Sequence, residues 1–135
     1  MKIAVNHCWG GFGLSHEACL YYAKLKGMEL YTYVSRDNDY NHYEPYTNQK
    51  VLLGLYSYFT ELLDEEGNFN SDAFWYDHNL ERDDPFLIQT IEDLGTERAS
   101  GYCGQVEIVE IPDDVKWVIR DYDGMETVEE AHRSW

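Results

Sequence analysis

The sequence predicts an α+β (mixed α/β) fold, in which a single-layer, mostly antiparallel sheet packs with two to four short helices. Apolar residues recur at helical spacing after Ser15 and after Asp84. Four segments have the residue pattern of strands, because their side chains alternate between two faces or because they are rich in β-forming residues. They are 2–8, 28–34, 106–111 and 115–122. The resulting order is β-α-β followed by α-β-β-α, which favours helices layered on one mixed sheet.

The first two strands and the helix between them have clear local signals. Residues 2–8 alternate and predict a half-buried strand. Ser15 is a suitable N-cap because its hydroxyl can accept a hydrogen bond from a free backbone N–H of the first turn. Gly27 supplies the C-terminal stop of this helix, and a second strand follows over 28–34.

The middle of the chain is less regular. Residues 36–49 are polar and contain Pro45, so we expect a loop there. Residues 51–63 fit a helix and a strand equally well, and both alternatives stay open. A turn is expected over 64–68, where acidic residues meet Gly67 and Asn68.

A second helix and a hairpin are predicted in the C-terminal half. Asp84-Pro85 is a good helix start, because proline at the first helical position loses no hydrogen bond, and Gly95 is expected to end the helix. Strands over 106–111 and 115–122 flank the turn sequence Pro112-Asp113-Asp114, so we expect them to pair as a hairpin.

A short terminal helix is predicted for the end of the chain. Val128, Ala131, His132 and Trp135 recur at helical spacing. Arg133 follows Glu129 by four residues, the spacing of a helix-face ion pair that contributes about 0.3–0.5 kcal/mol.

Length and charge exclude several functions. The 135 residues fit one domain spanning 1–135, and the net charge of −16 repels nucleic acid polymers. No apolar run approaches the length of a membrane span, and the N-terminus is expected to be a strand rather than a signal peptide. The three cysteines form no CxxC motif, so we expect a protein of the reducing cytoplasm.

A glycine-rich loop stands between the first strand and the first helix. Glycines let backbone N–H groups approach a ligand, and a helix N-terminus favours anions, so phosphate binding is physically available. The dinucleotide fingerprint is incomplete, because His16 stands where its third glycine is needed. The alternative is a tight turn between a strand and a helix.

Arginines and aromatic residues are the other candidates for ligand contacts. In so acidic a chain most arginines are expected to pair with carboxylates, and the functional alternative is that one or two clamp a diphosphate. The arginines are Arg36, Arg82, Arg98, Arg120 and Arg133. Aromatic residues outside the periodic segments favour a base-stacking platform or an oligomer interface. They are Trp9, Phe12, Trp75, Tyr76 and Tyr102.

Catalytic patterns are weak. His7 and Cys8 are adjacent in a strand and therefore face opposite sides, and the histidines have no zinc-binding spacing. We expect no catalytic residue, no metal and no cofactor. Two alternatives to a binding protein remain. One is a small-nucleotide hydrolase or transferase that uses His7 or His16, and the other is an acidic interaction module or DNA mimic.

Four stretches of the chain carry a family resemblance. They are MKIAVNHCWGGFGLS, LERDDPFLIQTIEDLGTERASG, VEIVEIPDDVKWVI and DYDGMETVEEAHRSW. In this order they resemble the first class of Thoeris anti-defence proteins, which are small phage proteins.

The resemblance implies a sponge that binds cyclic ADP-ribose isomers, and also cyclic di- or trinucleotides, without cleaving them. It implies a homodimer or homohexamer in the cytoplasm of an infected bacterium, with pockets between chains. The resemblance also implies an arginine one helical turn before Arg133, where this sequence has Glu129. A carboxylate does not contact phosphate favourably, so the phosphate clamp differs here. Together with the loop aromatics and arginines above, the resemblance nominates as ligand-binding Trp9, Gly11, Phe12, Trp75, Arg82, Tyr102, Arg120, His132 and Arg133.

Overall fold

The computed structural model describes residues 1–36, 39–48, 56–102 and 104–131, and this part of the chain has an α+β fold. The elements are β1 (Lys2–Asn6), α1 (His16–Lys26), β2 (Tyr31–Arg36), β3 (Asp39–Pro45), β4 (Tyr56–Phe59), β5 (Phe74–Trp75), α2 (Pro85–Ala99), β6 (Val106–Glu110), β7 (Trp117–Tyr122) and β8 (Met125–Glu130). The strands pair antiparallel in three sheets, with the strand orders β1-β6, β3-β2-β4-β5 and β7-β8. The predicted fold class is therefore confirmed.

Strand β1 lies at the centre of the described structure. It pairs with β6, with Asn6 opposite Val106, and it also contacts α2 and β8. Ile3, Ala4, Val5 and Asn6 are completely buried. The expectation of a half-buried strand is therefore wrong, because neighbouring elements cover both of its faces.

The two helices begin at the predicted caps. Ser15 Oγ accepts a hydrogen bond from Ala18 N at 3.0 Å, and Gly27 ends α1 with a left-handed φ of 77°. Asp84 caps α2 by accepting a hydrogen bond from Phe86 N at 2.8 Å. The expectation that Gly95 ends α2 is wrong: Gly95 kinks the helical backbone, with φ 82° and ψ 162°, and helical hydrogen bonding resumes and continues to Ala99.

The predicted C-terminal hairpin is wrong. Strand β6 pairs with β1, and β7 pairs instead with β8. Asp123 and Gly124 form the two-residue turn between them, with φ values of 49° and 91°. Positive φ at both positions is typical of the type I′ turn, whose twist matches that of paired strands.

The predicted terminal helix is wrong over the part that the structure describes. Residues 125–130 form β8, and Glu129 pairs with Arg120 across the hairpin. His132 and Arg133 lie outside the described residues.

The middle of the chain contains a four-stranded sheet. The loop predicted over 36–49 is wrong, because 39–45 form β3 and pair with β2. In the ambiguous segment, Tyr56–Phe59 is a strand, and 51–55 lie outside the described residues. The turn over 64–68 is confirmed, since Asp64 Oδ1 accepts hydrogen bonds from Glu66 N and Asn68 N.

The main core joins both helices to β1, β4 and β6. Its largest completely buried side chains include Tyr22 on α1 and Leu87 on α2, and these two helices pack on each other. No helix in the described part of the chain has the length and apolarity needed to cross a membrane.

Candidate ligand-binding cleft

A cavity of about 940 Å³ lies between the start of α1, strands β4 and β5, and the segment after α2. This volume falls within the roughly 300–1,000 Å³ typical of small-molecule sites. The aromatic and imidazole rings that border it are His16, Tyr56, Tyr58, Phe74, Trp75, Tyr76, His78 and Tyr102. We call this cavity the aromatic cleft.

One group of rings, the first stack, consists of His16, Tyr56 and Tyr58. The His16 ring lies 4.2 Å from the Tyr56 ring and 5.7 Å from the Tyr58 ring, with interplanar angles of 11° and 17°. His16 Nδ1 also lies 2.8 Å from the Tyr58 hydroxyl. Tyr56 and Tyr58 lie two residues apart on β4, so their side chains are on the same face of the strand. The Ser15 cap places His16 at the first position of α1.

A second group of rings, the second stack, consists of Phe74, Tyr76 and His78. Ring centroids lie 6.0 Å apart for Phe74 and Tyr76, and 4.5 Å apart for Tyr76 and His78. Phe74 and Tyr76 are 41% and 46% exposed, so their rings are open to a ligand. Trp75 alternates with them and meets Tyr58 edge-on at 5.7 Å.

Three charged side chains border the aromatic cleft. Asp77 Oδ2 accepts a hydrogen bond from Leu14 N at 2.9 Å, and its Oδ1 lies 3.0 Å from His78 Nδ1. Arg98 donates two hydrogen bonds to the Glu17 carboxylate, at 2.7 and 3.0 Å. The Arg98–Glu17 pair is exposed, so solvent screens it and its contribution to stability is small.

Burial sets the protonation states of the groups inside the cleft. It lowers the pKa of His16, which is therefore neutral at pH 7. Burial also raises the pKa of Tyr58 and of Cys19, and the Asp77 charge adds to both shifts. Cys19 is 1% exposed, and its thiol stays protonated, so it is a poor nucleophile.

The glycine-rich loop packs against the β7–β8 turn. A Cβ atom on Gly124 would lie 2.7 Å from Gly10 N and closer still to Gly11 N, so the two backbones touch. Asn6 fixes this contact, because its Nδ2 donates to Cys8 O and Gly124 O, each at 2.6 Å. The tight-turn alternative accounts for these glycines through packing.

Arg82 and Phe12 belong to the same contact between the loop and the hairpin. Arg82 donates to both oxygens of the buried Glu126 carboxylate, at 2.5 and 2.8 Å, and to Ala4 O at 3.2 Å. Its guanidinium lies 3.7 Å from the centre of the buried Phe12 ring. This is an internal ion pair with a cation–π contact.

The nine predicted site residues therefore fall in different places. Trp75 and Tyr102 border the aromatic cleft. Those beside the β7–β8 hairpin are Trp9, Gly11, Phe12 and Arg82. Arg120 is exposed on β7 and pairs with Glu129, while His132 and Arg133 lie outside the described residues.

Several cleft residues were not nominated from the sequence. The sequence analysis points to Tyr76 only as an aromatic residue outside the periodic segments, and to His16 only as an alternative catalytic residue. The signal that points to them is aromatic alternation, which occurs at 56 and 58 and again at 74, 76 and 78. Over the extended residues 56–58 and 74–76 this spacing places rings on one face, whereas His78 lies in a 3₁₀ turn over Asp77–Asn79 that brings its ring against Tyr76.

A second histidine–carboxylate pair lies outside the aromatic cleft. His7 Nδ1 is 2.5 Å from Glu107 Oε2, and Gln105 donates to the other carboxylate oxygen at 2.7 Å. The hydrogen bonds from Gln105 and His7 lower the pKa of Glu107. Among the described residues, no group of three or more His, Cys, Asp or Glu side chains is arranged to hold a metal ion.

Comparison of the chain with protein-family models, with curated proteins and with solved structures finds no match.

Proposed function

We propose that the protein binds a small cyclic nucleotide signal, a cyclic ADP-ribose isomer, in the aromatic cleft and holds it without cleaving it. The observation that carries the proposal is that two ring stacks border one cavity of about 940 Å³. The sequence resemblance to phage sponges of the Thoeris anti-defence type supports this choice of ligand.

The second stack is suited to hold a nucleobase. Tyr76 and His78 are already parallel to within 23°, and both are about half exposed, so a base can extend the stack. Stacking contributes about 1–3 kcal/mol per base. The pre-formed arrangement reduces the entropy that binding must overcome.

Arg98 is suited to hold a phosphate. Its bond to Glu17 lies at the surface, so a diphosphate can take the place of Glu17 at little cost. Charge-assisted hydrogen bonds contribute about 1.5–3 kcal/mol each. Two stacking contacts and two such bonds approach, at their upper limits, the roughly −12 kcal/mol of nanomolar binding.

The chemistry of the buried groups supports binding rather than cleavage. Burial keeps the Cys19 thiol protonated, and the Nδ1 atom of His16 is at hydrogen-bonding distance from the Tyr58 hydroxyl. We further propose, from the resemblance, that the protein acts as a homodimer or homohexamer in the cytoplasm of an infected bacterium. There it would lower the free signal and block the immune response.

The first experiment recovers the ligand after binding. The protein is incubated with glyco-cyclic ADP-ribose, separated from unbound ligand and denatured, and the released compound is identified by mass spectrometry. Recovery of intact ligand at about one equivalent per site is expected. Recovery of linear ADP-ribose alone would contradict the proposal and favour a hydrolase.

The second experiment locates the binding energy. Titration calorimetry is carried out on wild type, Tyr76→Ala and Tyr122→Ala. Both tyrosines are exposed, but only Tyr76 borders the cleft. We expect Tyr76→Ala to weaken binding by roughly 5- to 150-fold and Tyr122→Ala to leave it unchanged. Equal effects of the two variants would contradict the placement of the ligand.

A further inference from the structure

We infer that Asp77 selects the base of the ligand, so that the aromatic cleft takes a nucleotide whose base presents an exocyclic amino group. This inference rests on the proposed function and names the class of ligand that the same cleft accepts. Adenine has such an amino group, whereas hypoxanthine carries a keto oxygen at the same position.

Asp77 occupies the position in front of α1 where a phosphate would otherwise bind. Its Oδ2 accepts the hydrogen bond from Leu14 N at 2.9 Å, one residue before the Ser15 cap. Backbone N–H groups at such a position are the donors that phosphates use at glycine-rich loops. Because the carboxylate is already there, a second anion is repelled, and the phosphates of the ligand must bind elsewhere.

The Asp77 carboxylate retains acceptor capacity on the cleft side. A carboxylate offers about four lone-pair sites. Leu14 N uses one, and His78 Nδ1, 3.0 Å from Oδ1, is placed to use another. The side chain is 15% exposed and borders the aromatic cleft, so a ligand donor can reach the remaining sites.

The second stack presents a base to this carboxylate. Asp77 lies between Tyr76 and His78 in sequence, and these two rings stack at 4.5 Å. A base added to the stack therefore has one edge beside Asp77. An amino group on that edge donates a hydrogen bond to the carboxylate. A keto oxygen there cannot donate, and it repels the carboxylate oxygen because both atoms are acceptors.

Charge fixes the orientation of the rest of the ligand. Among the described side chains that border the cleft, Arg98 carries the permanent positive charge, and Asp77 and Glu17 are the carboxylates. The phosphates therefore bind at Arg98 while the amino edge of the base meets Asp77. A hydrogen bond to a charged acceptor distinguishes the two bases by about 10- to 100-fold in affinity.

The test compares two ligands on three proteins. Glyco-cyclic ADP-ribose and its deaminated, hypoxanthine-containing analogue are titrated into wild type, Asp77→Asn and Asp72→Asn. Asp77→Asn keeps an oxygen for Leu14 N but can also donate to a keto group. Asp72→Asn removes the same charge from an exposed neighbour outside the cleft lining.

We expect wild type and Asp72→Asn to prefer the amino compound by about 10- to 100-fold and Asp77→Asn to lose or reverse this preference. Equal binding of both ligands to wild type overturns the inference and leaves the proposed function standing. Binding of neither ligand overturns both. If Asp77→Asn does not fold, the preference of wild type between the two ligands still decides the question.

Discussion

Replacing Gly124 by alanine tests how the hairpin packs on the glycine-rich loop. Gly124 has a φ of 91°, a conformation that costs an L-residue about 1–2 kcal/mol. The added Cβ would also lie 2.7 Å from Gly10 N and closer to Gly11 N. These are backbone atoms, so relief requires the hairpin to move, and overpacking of this kind costs about 1–3 kcal/mol. Together the terms predict a loss of about 2–5 kcal/mol in the free energy of unfolding.

Gly67→Ala is the matched control. Gly67 has a φ of 82°, but an added Cβ meets no heavy atom within 4 Å. It should therefore lose only the conformational part, about 1–2 kcal/mol. Urea unfolding followed by tryptophan fluorescence gives both values. If Gly124→Ala and Gly67→Ala unfold with equal free energies, the close approach of the turn to the loop is wrong.

Three further variants test burial and protonation. Arg82→Met leaves the Glu126 carboxylate buried without its cationic partner, and should lower the free energy of unfolding, measured in urea, by about 3–5 kcal/mol. A loss below about 1 kcal/mol is typical of ion pairs at the surface and would contradict the burial of this pair. Burial lowers the pKa of His16 in the folded protein. As the pH falls through the ordinary value of 6.5, the His16 imidazole therefore binds a proton in the unfolded chain while it is still neutral in the folded protein. Unfolding free energy should therefore fall between neutral pH and about pH 5, and less so in His16→Phe; equal slopes would count against a buried neutral imidazole. Cys19 should react with a thiol reagent only after unfolding, whereas the partly exposed Cys8 should react in the native protein, as read by mass spectrometry; labelling of both at one rate would contradict the burial.

Local signals in the sequence predict where both helices begin and where α1 ends. Ser15, Gly27 and the Asp84-Pro85 pair act through hydrogen bonds within one turn of chain, so their effect does not depend on distant partners. The same reasoning located the Asp64 turn. Each of these predictions is confirmed because the energy that decides it is local.

Strand pairing depends on partners that alternation does not identify. Strand β1 pairs with β6 about a hundred residues later, and nothing in either segment names the other. Two turn signals competed near the C-terminus, and the Asp123-Gly124 pair prevailed over residues 112–114. Its two positive φ values suit a two-residue hairpin, whereas Pro112 cannot donate a ladder hydrogen bond.

The cleft was only partly predictable for the same reason. The sequence nominates Trp75 and Tyr102 as aromatic residues outside the periodic segments, and both border the cleft, but nothing in the sequence indicates that they share a cavity with His16. Arg82 was expected to pair with a carboxylate or clamp a diphosphate. Its partner, Glu126, lies 44 residues away and is reached only through the packing of the hairpin.

The tryptophan side chains offer the most direct test of where a ligand binds. Each indole N–H gives a separate signal in a ¹⁵N–¹H spectrum, and Trp→Phe variants assign these signals. Trp75 borders the aromatic cleft, while Trp9 lies beside Tyr122 on the hairpin side and Trp117 lies in β7. On titration with glyco-cyclic ADP-ribose, the Trp75 signal should shift and those of Trp9 and Trp117 should stay in place. A shift of Trp9 with Trp75 unmoved would place the ligand at the glycine-rich loop and contradict binding in the cleft.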